Sequence, residues 1–187
     1  MESRAITIKI RWMGETGKIE KEALKFISPK MNGLDIGSAG APILLQAIGI
    51  DREYPALYSD YVHLKGDAGD LYWFKNNCMD YIFSSHCLED FEDKAEVLRE
   101  WIRVLKEGGL LLLYLPDEKI YREHCKKHGQ SINLAHKDAE FSLKKLRKTV
   151  EDNNLPLHEI YCIESHGEYC FFIVYTKNSK VPILCKP

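Results

Sequence analysis

Residues 33–53, GLDIGSAGAPILLQAIGIDRE, set two apolar runs on either side of a turn of small residues. The runs are continuous rather than alternating, the pattern of parallel strands covered on both faces. A parallel crossover normally takes a dozen or more residues and is usually a helix, but only Ala41 to Leu45 separate Gly40 from the next apolar run. The sequence therefore predicts adjacent parallel strands joined by at most a short helical turn. Asp35 stands at the entrance of that turn and Asp51 at its exit.

The same type of run recurs as VHLKG at 62–66, MDYIFSS at 79–85 and LLLLYLP at 110–116. Between the last two, Ala95, Leu98, Trp101, Ile102 and Leu105 repeat at helical spacing, and Gly108-Gly109 offers a stop. A further helix over about 138–152 would bury Phe141, Leu146 and Val150. HEIYCIES and EYCFFIVYT flank His166-Gly167 and read as an antiparallel hairpin. At the other end, Ile6, Ile8, Ile10 and Trp12 alternate with polar residues as in a short strand or extended arm, and Thr16 would cap a helix over 17–27. Strands alternating with helices and closing on a hairpin give a doubly wound α/β sheet.

The length, 187 residues, suits one domain. The expected division is an N-terminal arm and helix over 1–29, a core over 31–117 and a segment over 118–138 able to close over a substrate. A net charge of -2 does not call for nucleic acid. No apolar run approaches the roughly 20 residues of a membrane span. The six cysteines form no CxxC pair and several sit in apolar runs, as expected in a reducing cytoplasm. Oligomeric state is left open.

The chemistry gathers in the turn. Gly37, Ser38, Ala39 and Gly40 let a ligand approach the backbone. The G-x-G-x-x-G pattern of a dinucleotide site is incomplete, and a carboxylate at Asp35 would repel phosphate while suiting a cationic ligand. Asp35 and Asp51 equally suit simple capping of loop amides. His86 follows the fourth run at the edge where α/β sheets bind ligands, so it is a candidate general base or a packing group for the loop. His124 and His128 stand at i and i+4, with His136 beyond. No further ligand follows at recognisable spacing, so a solvated basic segment is preferred to a metal site. Tyr72, Trp73 and Phe74 suit either a ligand border or an aromatic wedge.

Taken in order, Asp35 to Gly40, Asp51 after IGI, GDAGDL at 66–71, MDYIFSSHCLEDF at 79–91 and REWIRVLKEGGLLLLYLPD at 99–117 resemble class I S-adenosylmethionine-dependent methyltransferases. The likeness is to short, type 11-like members with a compressed first crossover, a type often met beside sugar and polysaccharide enzymes. It implies a Rossmann-like, mostly parallel sheet and S-adenosylmethionine as cofactor. It also implies that Asp35 and the amides of Gly37, Ser38, Ala39 and Gly40 hold the methionine end. Asp51, with Arg52 beside it, would receive the ribose, Asp67 and Ala68 would read the adenine, and Ser85 and His86 would close the site. Two departures are visible. The family's G-x-G-x-G becomes Gly37, Ala39 and Ala41, and the histidine ending its SSHxLEH is Asp90.

The expected activity is methyl transfer to a small molecule, with a non-catalytic binding or regulatory protein of the same fold as the alternative. Residues 117–148 hold nine Lys or Arg against five Asp or Glu in a slightly acidic chain. That excess, with Lys126 and Lys127 at its centre, suggests an anionic acceptor such as a phosphorylated or carboxylated sugar derivative. A solvated helix face is the plainer account of the same charges.

Overall fold

The computed structural model describes residues 14–52 and 63–178; the expected arm strand over Ile6 to Trp12 lies outside them. The strands are β1 (Gly33–Ile36), β2 (Ile48–Asp51), β3 (His63–Lys65), β4 (Met79–Ser85), β5 (Leu105–Pro116), β6 (Leu157–His166) and β7 (Cys170–Lys177). They form one sheet in the order β3-β2-β1-β4-β5-β7-β6. β1 to β5 pair in parallel, and β7 enters antiparallel between β5 and β6. Among the described residues four α-helices accompany it, α1 (Gly14–Ala23), α2 (Lys94–Val104), α3 (Glu118–His128) and α4 (Leu143–Asp152), with a 3-10 turn over Leu88–Asp90.

The alternation of each strand sorts its side chains into two cores. On one face Ile82 of β4 and Leu111, Leu113 and Leu115 of β5 meet Leu98 and Trp101 of α2 and Leu146 and Val150 of α4. On the other, Tyr81, Phe83, Leu112 and Tyr114 meet Ile19 and Ala23 of α1. The close packing of β1 on β4 requires a glycine: a Cβ at Gly33 would lie 2.0 Å from the Tyr81 ring.

Residues 37–47 contain no helix, and β1 and β2 are adjacent and parallel, as the short spacing predicts. In place of a crossover helix, Ile43, Leu44 and Ala47 from the loop itself plug the α1 face of the sheet. Hydrogen bonds pin the loop along its length. Gly37 N–H donates to Ile50 O at 2.8 Å, Ala41 N–H donates to Ser38 O at 2.8 Å, and the buried Asp35 carboxylate accepts the Ile43 amide.

Four element boundaries differ from the sequence reading. α1 begins at Gly14, so Thr16 is a buried helical residue rather than a cap. α2 stops at Val104, because Leu105 turns extended (φ -65°, ψ 138°) to join β5. Gly108 and Gly109 therefore belong to an irregularity of β5, where Met79 pairs with Leu105 but Tyr81 with Leu110. Ser142 caps α4 and delays its start to Leu143. Within the segment expected as a lid, α3 is a formed helix, capped by Asp117 and ended by Gly129 in the left-handed region (φ 64°). Among the described residues no helix is long and apolar enough to cross a membrane.

Candidate active site

A cleft of about 260 Å³ opens beyond the C-terminal ends of β1, β2 and β4, where parallel α/β sheets bind their ligands. Gly37, Ala39, Ile50, Asp51, Arg52, Gly66, Ala68, His86, Cys87, Asp90 and Phe91 line it. Six of these residues, Gly37, Ala39, Asp51, Arg52, Ala68 and His86, are among those to which the resemblance assigns a role. Asp35, Ser38, Gly40, Asp67 and Ser85 do not line it.

Their placement has local causes. Asp35 is 1% exposed and serves the loop amide of Ile43. Asp51 carries one oxygen 2.9 Å from the amide of Ala39, which it accepts. Asp67 accepts the Arg52 guanidinium at 3.1 Å on one oxygen and the Gly69 amide at 2.8 Å on the other, so it braces the loop after β3. The neighbouring Ala68 is fixed by its carbonyl, which accepts the buried Trp101 Nε1–H at 2.7 Å. Gly37 (φ 73°) could not carry a side chain, since its Cβ would lie 2.7 Å from Cβ of Cys87. Ala39 takes φ 44°, a left-handed conformation costly for an L-residue.

Sequence reasoning missed Ile50, Gly66, Cys87, Asp90 and Phe91. Ile50 and Phe91 supply apolar walls, and the Arg52 guanidinium lies 5.6 Å from the Phe91 ring centre. Burial pushes the Cys87 thiol well above its ordinary pKa, leaving it protonated. Asp90, the residue that breaks the family pattern, has its Oδ1 buried with no hydrogen-bond partner. Burial first, and then the neighbouring Glu89, raise its pKa. Of the aromatic trio, Phe74 packs on the core and Tyr72 is exposed, while the Trp73 ring covers Gly66.

His86 joins the cleft to a second, polar corner beyond the ends of β4 and β5. It sits at φ 51°, a strained backbone for a histidine. Its Nε2 lies 3.3 Å from Sγ of Cys170 and 3.8 Å from Oε2 of Glu15. Its Nδ1 is 3.4 Å from the fully buried carboxylate of Glu89. Burial works against the charged imidazole, but Cys170 and Glu89 outweigh it and lift the pKa to about 10. Tyr114 and Tyr169 meet the ring edge-on at 5.7 and 6.1 Å.

The three histidines of residues 118–138 are divided. His124 and His128 stack with ring centres 4.4 Å apart, as their spacing predicts. His136 is not with them: its Nδ1 is bonded to the buried Glu118, and its Nε2 is 3.8 Å from Glu89. Among the described residues, the histidine, cysteine and carboxylate atoms that do converge are those of Glu15, His86 and Cys170.

The cleft fits the cofactor that the sequence pattern implies. Two carboxylates, Asp51 and Asp90, line it, and its one arginine is paired with Asp67. Such a lining disfavours a pyrophosphate and accepts a nucleoside bearing positive charge. Residues 33–113 match a family model described as a methyltransferase domain. In fold the chain is similar to an S-adenosylmethionine-dependent methyltransferase of Thermotoga maritima (TM-score 0.67, 20% identity, 85% of this chain and 88% of that one). It is likewise similar to a Pyrococcus horikoshii protein (0.68, 17%, 87% and 89%) and an Aquifex aeolicus S-adenosylmethionine-dependent methyltransferase (0.61, 15%, 86% and 93%). No curated protein matches by sequence. Residues 33–113 thus match a methyltransferase domain, and the chain shares the fold of solved S-adenosylmethionine-dependent methyltransferases.

Proposed function

We propose that the protein methylates a small anionic acceptor bound in the corner beside His86, with the cofactor in the adjoining cleft. The observation that carries this reading is the position of His86, which lines the cleft on one side and meets Glu15, Cys170, Tyr114 and Tyr169 on the other. Bound S-adenosylmethionine supplies a methyl group already activated on a positively charged sulfur. The protein's part is then to align the acceptor, exclude water and manage one proton.

In this reading Asp51 accepts the ribose hydroxyls while tethering Ala39. The amides of Gly37, Ser38, Ala39 and Gly40 take the methionine end, with Asp35 fixing the loop from behind. Ile50 and Phe91 enclose the adenine, the Ala68 amide reads its edge, and the partnerless Oδ1 of Asp90 suits an exocyclic amine. Arg52 and Asp67 hold the wall in place through their ion pair, and Ser85 ends β4 beside His86. His86 faces the acceptor; as a cation it holds an anion in position, and it serves as a base once neutral.

An aromatic path supports an anionic acceptor. Tyr169 meets His86 at 6.1 Å and His124 at 5.2 Å, His124 stacks on His128, and Lys126 and Lys127 lie exposed in the same last turn of α3. Three of the four basic side chains of α4 are by contrast engaged: Lys145 pairs with Asp138, Arg147 with Glu159 and Lys148 with Asp152. Residues 118–138 thus flank the corner as its cover. The test is a thermal-shift comparison of S-adenosylmethionine, S-adenosylhomocysteine and NAD, followed by a transfer assay across phosphorylated and carboxylated sugars. Stabilisation by the first two alone and methylation of an anionic sugar support the reading; methylation confined to neutral or cationic acceptors contradicts it.

A further inference from the structure

The corner beyond His86 contains three side chains from distant parts of the chain. Glu15 comes from the first turn of α1, His86 follows β4 and Cys170 opens β7. One atom from each, Oε2, Nε2 and Sγ, lies within 4.8 Å of the others. Sγ to Nε2 is 3.3 Å and Nε2 to Oε2 is 3.8 Å. Zinc bonds of roughly 2.0–2.3 Å at tetrahedral angles put neighbouring N, O and S ligand atoms about 3.3–3.6 Å apart, so these two spacings need only small adjustments.

A second observation points to a ligand. The Oε2 atom of Glu15 is buried without a hydrogen-bond partner, while its other oxygen pairs with Lys18 at 2.9 Å. A buried carboxylate oxygen left without a donor is costly unless something positive reaches it. Cys170 is 4% exposed, so its sulfur has little access to bulk solvent. Carboxylate, imidazole and thiolate together form a donor set suited to a borderline-soft divalent cation rather than to calcium or magnesium.

We propose that Glu15, His86 and Cys170 bind a zinc ion. Three protein ligands leave the fourth tetrahedral position for water or substrate, the arrangement of catalytic rather than structural zinc. Combined with the methyl-transfer reading, His86 would be a neutral ligand in the metal-bound state, the zinc would replace the imidazolium in holding the acceptor, and the open position would take an oxygen or sulfur of that acceptor. The metal would lower the acceptor's pKa so that its proton passes to solvent water, and the freed oxygen or sulfur would then take the methyl group as the sulfonium S–CH3 bond breaks, releasing S-adenosylhomocysteine. Lys18 opposes the site by charge, but it is bound to the far oxygen of Glu15 and 43% of its side chain is exposed to solvent.

The test is cobalt and zinc binding by the metal-stripped full chain without any cofactor, so that its result is independent of the methyl-transfer reading. The wild-type protein should bind one cobalt ion, with visible bands of a tetrahedral complex and a near-ultraviolet thiolate-to-cobalt band. Cys170→Ser should lose the thiolate band, and Glu15→Gln should weaken zinc by at least about tenfold while keeping the band. Cys125→Ser, which removes a buried thiol of α3, should change neither, and circular dichroism should show each variant folded. Lack of a thiolate band in the wild type, its persistence in Cys170→Ser, or unchanged zinc affinity in Glu15→Gln would overturn the proposal.

Discussion

The Asp51 carboxylate at the end of β2 accepts the amide of Ala39 at 2.9 Å, and Ala39 is held at φ 44°. The second strand therefore tethers a strained residue of the loop that follows the first. A left-handed L-residue costs roughly 1–2 kcal/mol, and glycine returns roughly 0.5–1 kcal/mol of that in unfolded-chain entropy. Ala39→Gly should thus stabilise the protein by about 0.5–1 kcal/mol. In urea unfolding the midpoint should rise with no change in slope; a lower midpoint would show that the alanine is unstrained.

Asp90 should trade stability for binding. Its pKa is raised in the folded protein, so its favourable contribution exists at acid pH, below the ordinary carboxylate range, and is lost as pH rises through the folded value. His136, Arg52 and Lys137 moderate the shift without reversing it. Asp90→Asn should be modestly more stable than wild type at neutral pH, lose that advantage in acid, and bind S-adenosylmethionine more weakly. Urea midpoints at the two pH values and one titration check all three. An advantage independent of pH would contradict the charge argument.

If Lys126 and Lys127 steer an anionic acceptor, their replacement should be felt in encounter. Lys126→Ala with Lys127→Ala should lower kcat/KM more at low salt than at high salt, where screening already weakens the attraction. Stability should change little, since both side chains are exposed. Equal rates and equal salt dependence would leave these lysines as a solvated face of α3.

The fold was largely legible because its strands are continuous apolar runs and its first crossover is too short to be a helix. α3 was harder to see: EKIYREHCKKH is polar on nearly every face, and only Asp117 and Gly129 mark its ends. The site was legible where a motif carries it. Asp51 and Ala68 line the cleft, whereas Asp35 answers a local need for an acceptor in a loop without helical hydrogen bonds. Asp90 was visible only as a departure from a family pattern. Glu15 and Cys170 belong to no motif, and their approach to His86 depends on α1 and β7 converging across more than a hundred residues, which no local pattern encodes.

The central claim is that the cleft beside Asp51 holds S-adenosylmethionine through its ribose, and isothermal titration of wild type and Asp51→Ala tests it most directly. Each hydroxyl bonded to the carboxylate contributes about 1.5–3 kcal/mol, whereas losing the Ala39 tether costs the fold only about 1 kcal/mol. Wild type should bind one S-adenosylmethionine and show no binding of NAD. Asp51→Ala should raise the Kd at least about tenfold with a small loss of stability. An unchanged Kd in Asp51→Ala, or NAD binding in place of S-adenosylmethionine, would contradict the account.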